Sequence, residues 1–427
     1  MKKVLIITYY WPPAGGPGVQ RWLKFVKYLR DFDIEPIVYI PSNPDYPLLD
    51  HSLEQEVSND LTILRLKIFE PYFFAKLFSR KQTAAISSGI IREESKQGFL
   101  QKFLLYIRGN FFIPDARKFW VKPSVKFLTV YVQEHNIDTI ITTGPPHSIH
   151  LIGLSLKEKL QVKWIADFRD PWTGIGYHNK LKLSETSEAK HLELESKVLK
   201  AASHIIATSF TTKTEFQKKT QVPISVITNG FDTPLQGDVK LDETFTISHI
   251  GSLLSGRNPT NLWLGLQELK KENRDFAKDL RLKLVGAVSE EVLATIKSFG
   301  LEENLEVLGY VSHPAALKLQ NSSQVLLLVE IDSIETRGII PGKLFEYMAA
   351  KRPILALGPE KWDVEKILYE TGSGNFFNYR EKEELKYRIN AYYHLYKEHR
   401  LLSDSKNIEK YSRKFLTGKL AELLKNQ

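Results

Sequence analysis

The chain has 427 residues, 42% apolar and 26% charged, an ordinary globular composition that is long enough for two domains. It contains no cysteine, which excludes a disulfide framework and thiolate metal sites and makes a reducing cytoplasm the expected compartment. The net charge of +9 is unevenly spread: between Arg65 and Lys126, 13 Lys/Arg stand against 4 Asp/Glu, so the rest of the chain is balanced.

The first element is a strand over Lys3–Tyr9, a continuous apolar run. It begins like a signal peptide, but its apolar part is short, ends in Tyr-Tyr-Trp-Pro-Pro and lacks a small-residue cleavage site. No apolar run reaches the roughly 18 residues that span a bilayer. Gln20–Leu29 carries Trp22, Phe25, Val26 and Leu29 at helical spacing. Further strands are predicted at Ile37–Ile40, Thr62–Leu66, Thr139–Thr142, Lys163–Ala166 and His204–Ala207, with helices over Ser148–Leu160 and Leu192–Ala201. The rhythm restarts at Phe245–Ile250 and continues through Arg281–Val285, Leu305–Leu308, Val325–Val329 and Pro353–Leu357. Strands alternating with helical patterns imply parallel, doubly wound α/β sheets, here two of them joined near the Pro- and Gly-rich stretch Val222–Gly237. Aromatics crowd the basic segment: Phe69, Phe73, Phe74, Phe78, Phe103, Tyr106, Phe111 and Phe119 are among them. Such a segment either docks on an anionic membrane face or contributes its rings to the core; nucleic acid suits it less.

In open α/β sheets, ligands sit beyond the carboxyl ends of the strands, and the chemistry-bearing residues fall there. The first strand runs into Gly15-Gly16-Pro17-Gly18, then Arg21; the glycines let backbone N–H groups approach a ligand. Gly16-Pro17-Gly18 is half of a dinucleotide fingerprint, but Arg21 replaces the third glycine and no acid ends the second strand, so a nicotinamide or flavin enzyme is disfavoured. Gly144-Pro-Pro-His147 places a histidine between strand end and helix start, either to donate to a sugar hydroxyl or to pack; His150, one turn on, reads as structural. After the next strand, Asp167-Phe-Arg169-Asp170 offers carboxylates that either orient an acceptor hydroxyl or fix the loop through Arg169. The second half opens with Gly251-Ser-Leu-Leu-Ser-Gly256-Arg257, a flexible loop with a bidentate cation suited to a diphosphate.

The most telling stretch is Arg337-Gly338-Ile339-Ile-Pro-Gly-Lys343-Leu-Phe-Glu346. A Gly-rich turn enters a helix with a lysine in its first turn and a glutamate three residues later. Helix-terminal N–H groups and the ammonium suit a diphosphate, and the carboxylate suits vicinal hydroxyls such as those of a ribose. A nucleotide sugar has both.

Together these segments resemble the retaining glycosyltransferases of the GT-B fold, of the large glycosyltransferase family 4 type found in bacterial surface-polysaccharide synthesis. The resemblance covers nearly the whole chain. It implies two Rossmann-like domains facing an interdomain cleft: an acceptor-side domain over 1–235, a nucleotide-sugar domain over 236–405, and a last helix within 406–427 crossing back to the first. It implies that Arg257 and Lys343 neutralise the leaving diphosphate and that His147 contacts the donor sugar. Gly16, Gly251, Gly256, Tyr310, Gly338, Ile339 and Glu346 would then border the donor, with Arg21 and Asp170 on the acceptor side. One departure stands out: the family's first acid, with seven residues between it and the one matched by Glu346, would fall at Gly338. No metal or cofactor is expected. The expected partners are a nucleotide sugar, a glycan or lipid-linked acceptor and an anionic membrane surface, with no nucleic acid. The expected place is the cytoplasm, peripherally on the inner face of its membrane. A sugar-nucleotide epimerase, a phosphorylase and a non-catalytic nucleotide-sugar-binding protein remain alternatives, since fold does not fix function.

Overall fold

Val4 and Ile6 face one side of strand β1 (Lys2–Ile7) while Leu5 and Ile7 face the other, and all four are fully buried. That period of two, with both faces apolar, is what a parallel strand covered by helices on each side requires. The computed structural model describes residues 1–71, 99–174, 176, 178–232 and 239–426. The chain divides into two units, 1–228 with 413–427, and 229–412.

In the first unit, seven parallel strands are ordered β3-β2-β1-β4-β5-β6-β7. They are β1, β2 (Ile34–Pro41), β3 (Thr62–Leu66), β4 (Thr139–Gly144), β5 (Lys163–Phe168), β6 (His204–Ala207) and β7 (Ile224–Val226). The helices are α1 (Pro17–Leu29), α2 (Phe99–Phe111), α3 (Lys118–Glu134), α4 (Ser148–Leu160), α5 (Glu185–Ala201) and α6 (Phe210–Gln217). The final helix of the chain, Arg413–Lys425, packs Leu416, Leu420 and Leu424 into the same core as Trp22 and Phe25 of α1. Each buried leucine there contributes about 1.5–3 kcal/mol.

The second unit has six parallel strands in the order β10-β9-β8-β11-β12-β13. These are β8 (Phe245–Ile250), β9 (Leu280–Val285), β10 (Leu305–Gly309), β11 (Val325–Val329), β12 (Ile354–Gly358) and β13 (Gly374–Asn378). Their helices are α7 (Thr260–Glu272), α8 (Arg274–Asp279), α9 (Glu290–Ser298), α10 (His313–Ser322), α11 (Gly342–Ala349), α12 (Asp363–Thr371) and α13 (Lys382–Lys397). β13 pairs unusually close to β12: a side chain on Gly374 would meet the Ile354 carbonyl at 2.0 Å, so only glycine fits.

In each sheet the strand order reverses at one place, between β1 and β4 in the first unit and between β8 and β11 in the second. Such switch points open a crevice beyond the strand ends where ligands bind. Among the described residues, no helix is long and apolar enough to cross a membrane.

Candidate functional site

At the switch point of the second unit, the β8 end and the start of α11 come together around Lys343. The backbone turns at Gly251 with φ +128, and a Cβ there would lie 2.3 Å from the Lys343 Nζ. Glycine is therefore needed twice over, for the dihedral and for the lysine's approach. Gly286, at φ +113, is equally constrained, since a Cβ would press on the Gly251 carbonyl at 2.8 Å. Buried Tyr347 ties the two elements: its hydroxyl oxygen accepts from the Ile250 N–H at 2.9 Å.

His249 sets the place of the ammonium. Its Nδ1 lies 3.0 Å from the Leu327 carbonyl and its Nε2 3.4 Å from the Ser252 carbonyl; the shorter contact keeps the proton on Nδ1, and Nε2 presents a lone pair. That lone pair faces Lys343 Nζ at 3.3 Å. Burial, followed by the Lys343 charge, keeps His249 neutral, far below the ordinary histidine range. Burial also pulls Lys343 down to about 8, helped by the Arg257 charge and opposed by Glu330 and Glu346. A partly buried lysine at the first turn of α11, where no acid stands, concentrates positive potential that an anion would relieve.

Arg257 closes the other side. Its Nε and Nη2 donate to the two Glu330 carboxylate oxygens at 3.0 and 3.2 Å. Glu330 is 1% exposed and follows β11, so this fork-to-fork pair bridges the two strands flanking the switch. The sequence reading treats Arg257 as a cation for a diphosphate; the structure shows that it arrives there already paired. Gly256 has room only up to Ile331, 3.3 Å from where its Cβ would be.

Glu346, one turn into α11, accepts from His313 Nε2 at 3.1 Å and Gln320 Nε2 at 2.9 Å, which fixes its carboxylate. Tyr310, just past β10, is 90% exposed. The Gly338–Ile339 turn is pinned by the indole of Trp362 donating to the Ile339 carbonyl at 2.6 Å.

In the first unit, Gly16 caps α1 at φ +104 and ψ 167, a conformation essentially restricted to glycine, with open space where a Cβ would be. Gly18 is explained by the protein itself, since a Cβ there would fall 1.8 Å from Arg169 Nη1. Arg21, expected on the acceptor side, is instead interior: it is 2% exposed, pairs with fully buried Asp167 at 3.0 Å and donates to the Thr228 carbonyl at 2.6 Å. Trp22 Nε1 and Thr143 Oγ1 also donate to Asp167, each at 2.8 Å. Asp167 is thus a packing hub, and Arg21 serves it in place of any ligand. Asp170 is exposed at the rim of a cavity that His147 also lines. His147 is 6% exposed, stacked on Trp172 at 5.0 Å, and both its ring nitrogens lack a hydrogen-bond partner. His150 is structural: Trp164 Nε1 donates to Thr142 Oγ1 at 2.8 Å, leaving that hydroxyl to donate to His150 Nδ1 at 2.9 Å.

Among the residues of these sites that sequence reasoning did not single out are His249, Glu330 and Gln320. Each lies at a strand end or helix interior with no motif of its own. Only Glu330, an acid directly after an all-apolar strand, carried a local signal.

No protein-family model and no curated protein matches the chain. Solved structures do. Anabaena HepE in complex with UDP is 15% identical with a TM-score of 0.64, covering all of both chains. The lipopolysaccharide outer core galactosyltransferase WaaB is 14% identical at a TM-score of 0.60, again covering both chains fully. A putative UDP-N-acetylglucosamine 2-epimerase from Listeria monocytogenes is 12% identical at 0.56, over all of this chain and 96% of that one. The neighbours include GT-B glycosyltransferases, and with its two parallel-sheet units this chain has the GT-B fold.

Proposed function

We propose that this protein is a retaining glycosyltransferase of the family 4 type that moves a sugar from a nucleoside diphosphate to a hydroxyl of a glycan or lipid-linked acceptor. The carrying observation is the convergence on one switch point of Lys343, the α11 start, the Arg257–Glu330 pair and the oriented Glu346. Lys343 and the helix start would neutralise charge that develops on the leaving diphosphate, which is the main electrostatic task of the transfer. Glu346 would accept hydroxyls of the nucleoside. In this reading the same-face attack needs no protein nucleophile, and positioning supplies the rest of the rate. HepE was solved with UDP, with UDP and glucose, and with UDP-glucose, which supports a uridine nucleotide as the first donor to try.

The reading extends to place. Phe69, Phe103, Tyr106, Phe111 and Phe119 are exposed, and the Lys118 ammonium lies 5.6 and 5.4 Å from the Phe112 and Phe119 rings. A basic, aromatic surface of this kind suits an anionic lipid face, the inner face of the cytoplasmic membrane in this proposal. Phe73, Phe74 and Phe78 lie outside the described residues.

Incubation with a panel of nucleoside-diphosphate sugars tests the core of the proposal. Slow release of free sugar together with nucleoside diphosphate is expected. Interconversion to an epimeric sugar nucleotide would favour the epimerase, whose fold this chain shares, and binding without turnover would favour a non-catalytic protein.

A further inference from the structure

The two edges of the second sheet differ in how they are protected. At one edge, β10 carries the exposed Glu306 and a register irregularity between Val307 and Gly309. A charge and a bulge both keep a sheet edge from pairing with another strand. At the other edge, β13 reads Gly-Asn-Phe-Phe-Asn, with no charge, no proline and an unbroken register against β12. The Ile354 N–H donates to the Ser373 carbonyl at 3.0 Å, and backbone groups alternate between the two sides of a strand, so Asn375 and Phe377 turn theirs to β12. Gly374 and Phe376 turn theirs outward, where no further strand pairs among the described residues. The Asn378 N–H is taken by the Glu381 carboxylate at 2.7 Å, which ends the open stretch.

Both sheet faces beside this edge expose a tyrosine. Phe376 meets Trp362 at the start of α12, and Asn375 accepts from the Tyr392 hydroxyl of α13 at 2.7 Å. Neighbouring residues of a strand point to opposite faces, so the two helices cover opposite faces. Tyr369 of α12 is 90% exposed and Tyr387 of α13 is 73% exposed. A groove of about 460 Å³ lies between β13 and α13, with Glu384, Tyr387 and Arg388 on its helical wall. Glu384 and Arg388 stand one turn apart, and neither has an ion-pair partner among the described residues. Lys386, between them, turns the other way to Glu268 and Glu272.

We infer that β13 and its two flanking helices form a docking surface for a second copy of this chain, the two β13 edges pairing antiparallel about a two-fold axis. Such an axis stands perpendicular to the sheet, so α13 lies antiparallel to its own counterpart on one face and α12 to its own on the other. The two Phe376 backbones exchange N–H···O=C bonds, Tyr387 and Tyr369 each meet their twins, and Glu384 of one copy faces Arg388 of the other. Self-association is favoured over another protein because opposite charges one turn apart become complementary when the same helix is reversed. Tyrosine is also the kind of residue that anchors interfaces. This dimer forms whatever the switch-point site binds.

Sedimentation of the full chain over a range of concentrations should show a dimer. Glu384→Arg alone and Arg388→Glu alone each set like charges across the axis and should weaken dimerisation about tenfold. Mixed together, the two variants regain both ion pairs and should associate as the unaltered chain does. Tyr369→Ser with Tyr387→Ser should leave a monomer of unchanged melting temperature. Because the chain has no cysteine, Tyr387→Cys gives a second readout: mild oxidation should link two copies through it, whereas Leu402→Cys, at 71% exposure, should stay unlinked. A chain that is monomeric at every concentration, single charge variants that dimerise normally, or no recovery on mixing would overturn the inference. Should a charge variant fail to fold, an unlinked Tyr387→Cys would overturn it instead.

Discussion

The Nε2 of His249 faces the ammonium of Lys343 at 3.3 Å, and the Leu327 carbonyl fixes which tautomer does so. A histidine that is buried, neutral and proton-bearing on its far side is an acceptor built for one donor. It holds the lysine against Gly251, where an incoming anion would find it. His249→Phe should weaken UDP binding about tenfold, the loss of one charged hydrogen bond at about 1.4 kcal/mol. His249→Gln, which keeps an acceptor, should recover most of that affinity. Calorimetric titration of both variants checks it, and equal losses would reduce His249 to a filler of space.

Lys343 gives the site a pH dependence of known sign. Its folded pKa, about 8, lies below the ordinary lysine value of 10.5 because burial disfavours the charge. A bound diphosphate favours the charge and raises the pKa again, so binding takes up a proton once the free lysine is neutral. UDP affinity should therefore be flat between about pH 7, where the terminal phosphate is fully ionised, and about pH 8, and then fall by up to tenfold per pH unit, for a single proton. Lys343→Arg, always charged, should flatten that fall. The same shift makes a charged Lys343 costly to the fold: stability from this group is gained as pH rises from about 8 towards 10.5, and Lys343→Met should melt higher at neutral pH.

Glu346 is oriented by His313 and Gln320 before any ligand arrives. Glu346→Gln should weaken nucleoside diphosphate binding by about 1–3 kcal/mol. The loss should be smaller for 2′- and 3′-deoxy nucleotides, which lack the hydroxyls assigned to it. A uniform loss across all of them would detach this residue from the ribose.

Arg21 shows what removing a buried partner does. Replacing it with Met leaves Asp167 charged and fully buried, with only Trp22 and Thr143 donating. A destabilisation of about 3–5 kcal/mol is expected, read by denaturant unfolding. Sugar transfer per folded molecule should persist, in contrast to the outcome if Arg21 touched an acceptor.

The alternating elements were legible because short β-rich runs stand between helical patterns: Thr62–Leu66, His204–Ala207, Phe245–Ile250 and Val325–Val329 carry the same bounds in sequence and structure. β7 and β13 were not, the first being three residues long beside a proline and the second opening on glycine with asparagines at both ends. The Gly-rich turn, the first-turn lysine and the glutamate of α11 were equally plain, since helix starts have local rules. Partners separated by dozens of residues were not plain. Nothing near Arg257 announces Glu330, and nothing near Arg21 announces Asp167, because sheet order alone brings them together. The same holds for His147 and His191, which meet around Trp172 only after α5 has packed.

The exposed rings beside α2 and α3 lead to the last prediction. Phe111 and Phe119 are 63% and 43% exposed, and Lys118 lies within cation–π reach of Phe119 and donates to the Phe111 carbonyl at 2.6 Å. An apolar ring set among cations is costly in water and favourable at a lipid headgroup boundary, where each basic residue adds about 1 kcal/mol of attraction. Cosedimentation should show binding to anionic vesicles that falls at high salt, and weak binding to neutral ones, since neither contribution alone holds a protein firmly. Phe111→Ser with Phe119→Ser should lower anionic-vesicle binding about tenfold, through lost apolar insertion. UDP affinity should not change, because those rings lie in the first unit and the nucleotide site is assigned to the second. Equal binding to anionic and neutral vesicles, or none to either, would leave the charge as a solvated face and point to a soluble glycan as acceptor.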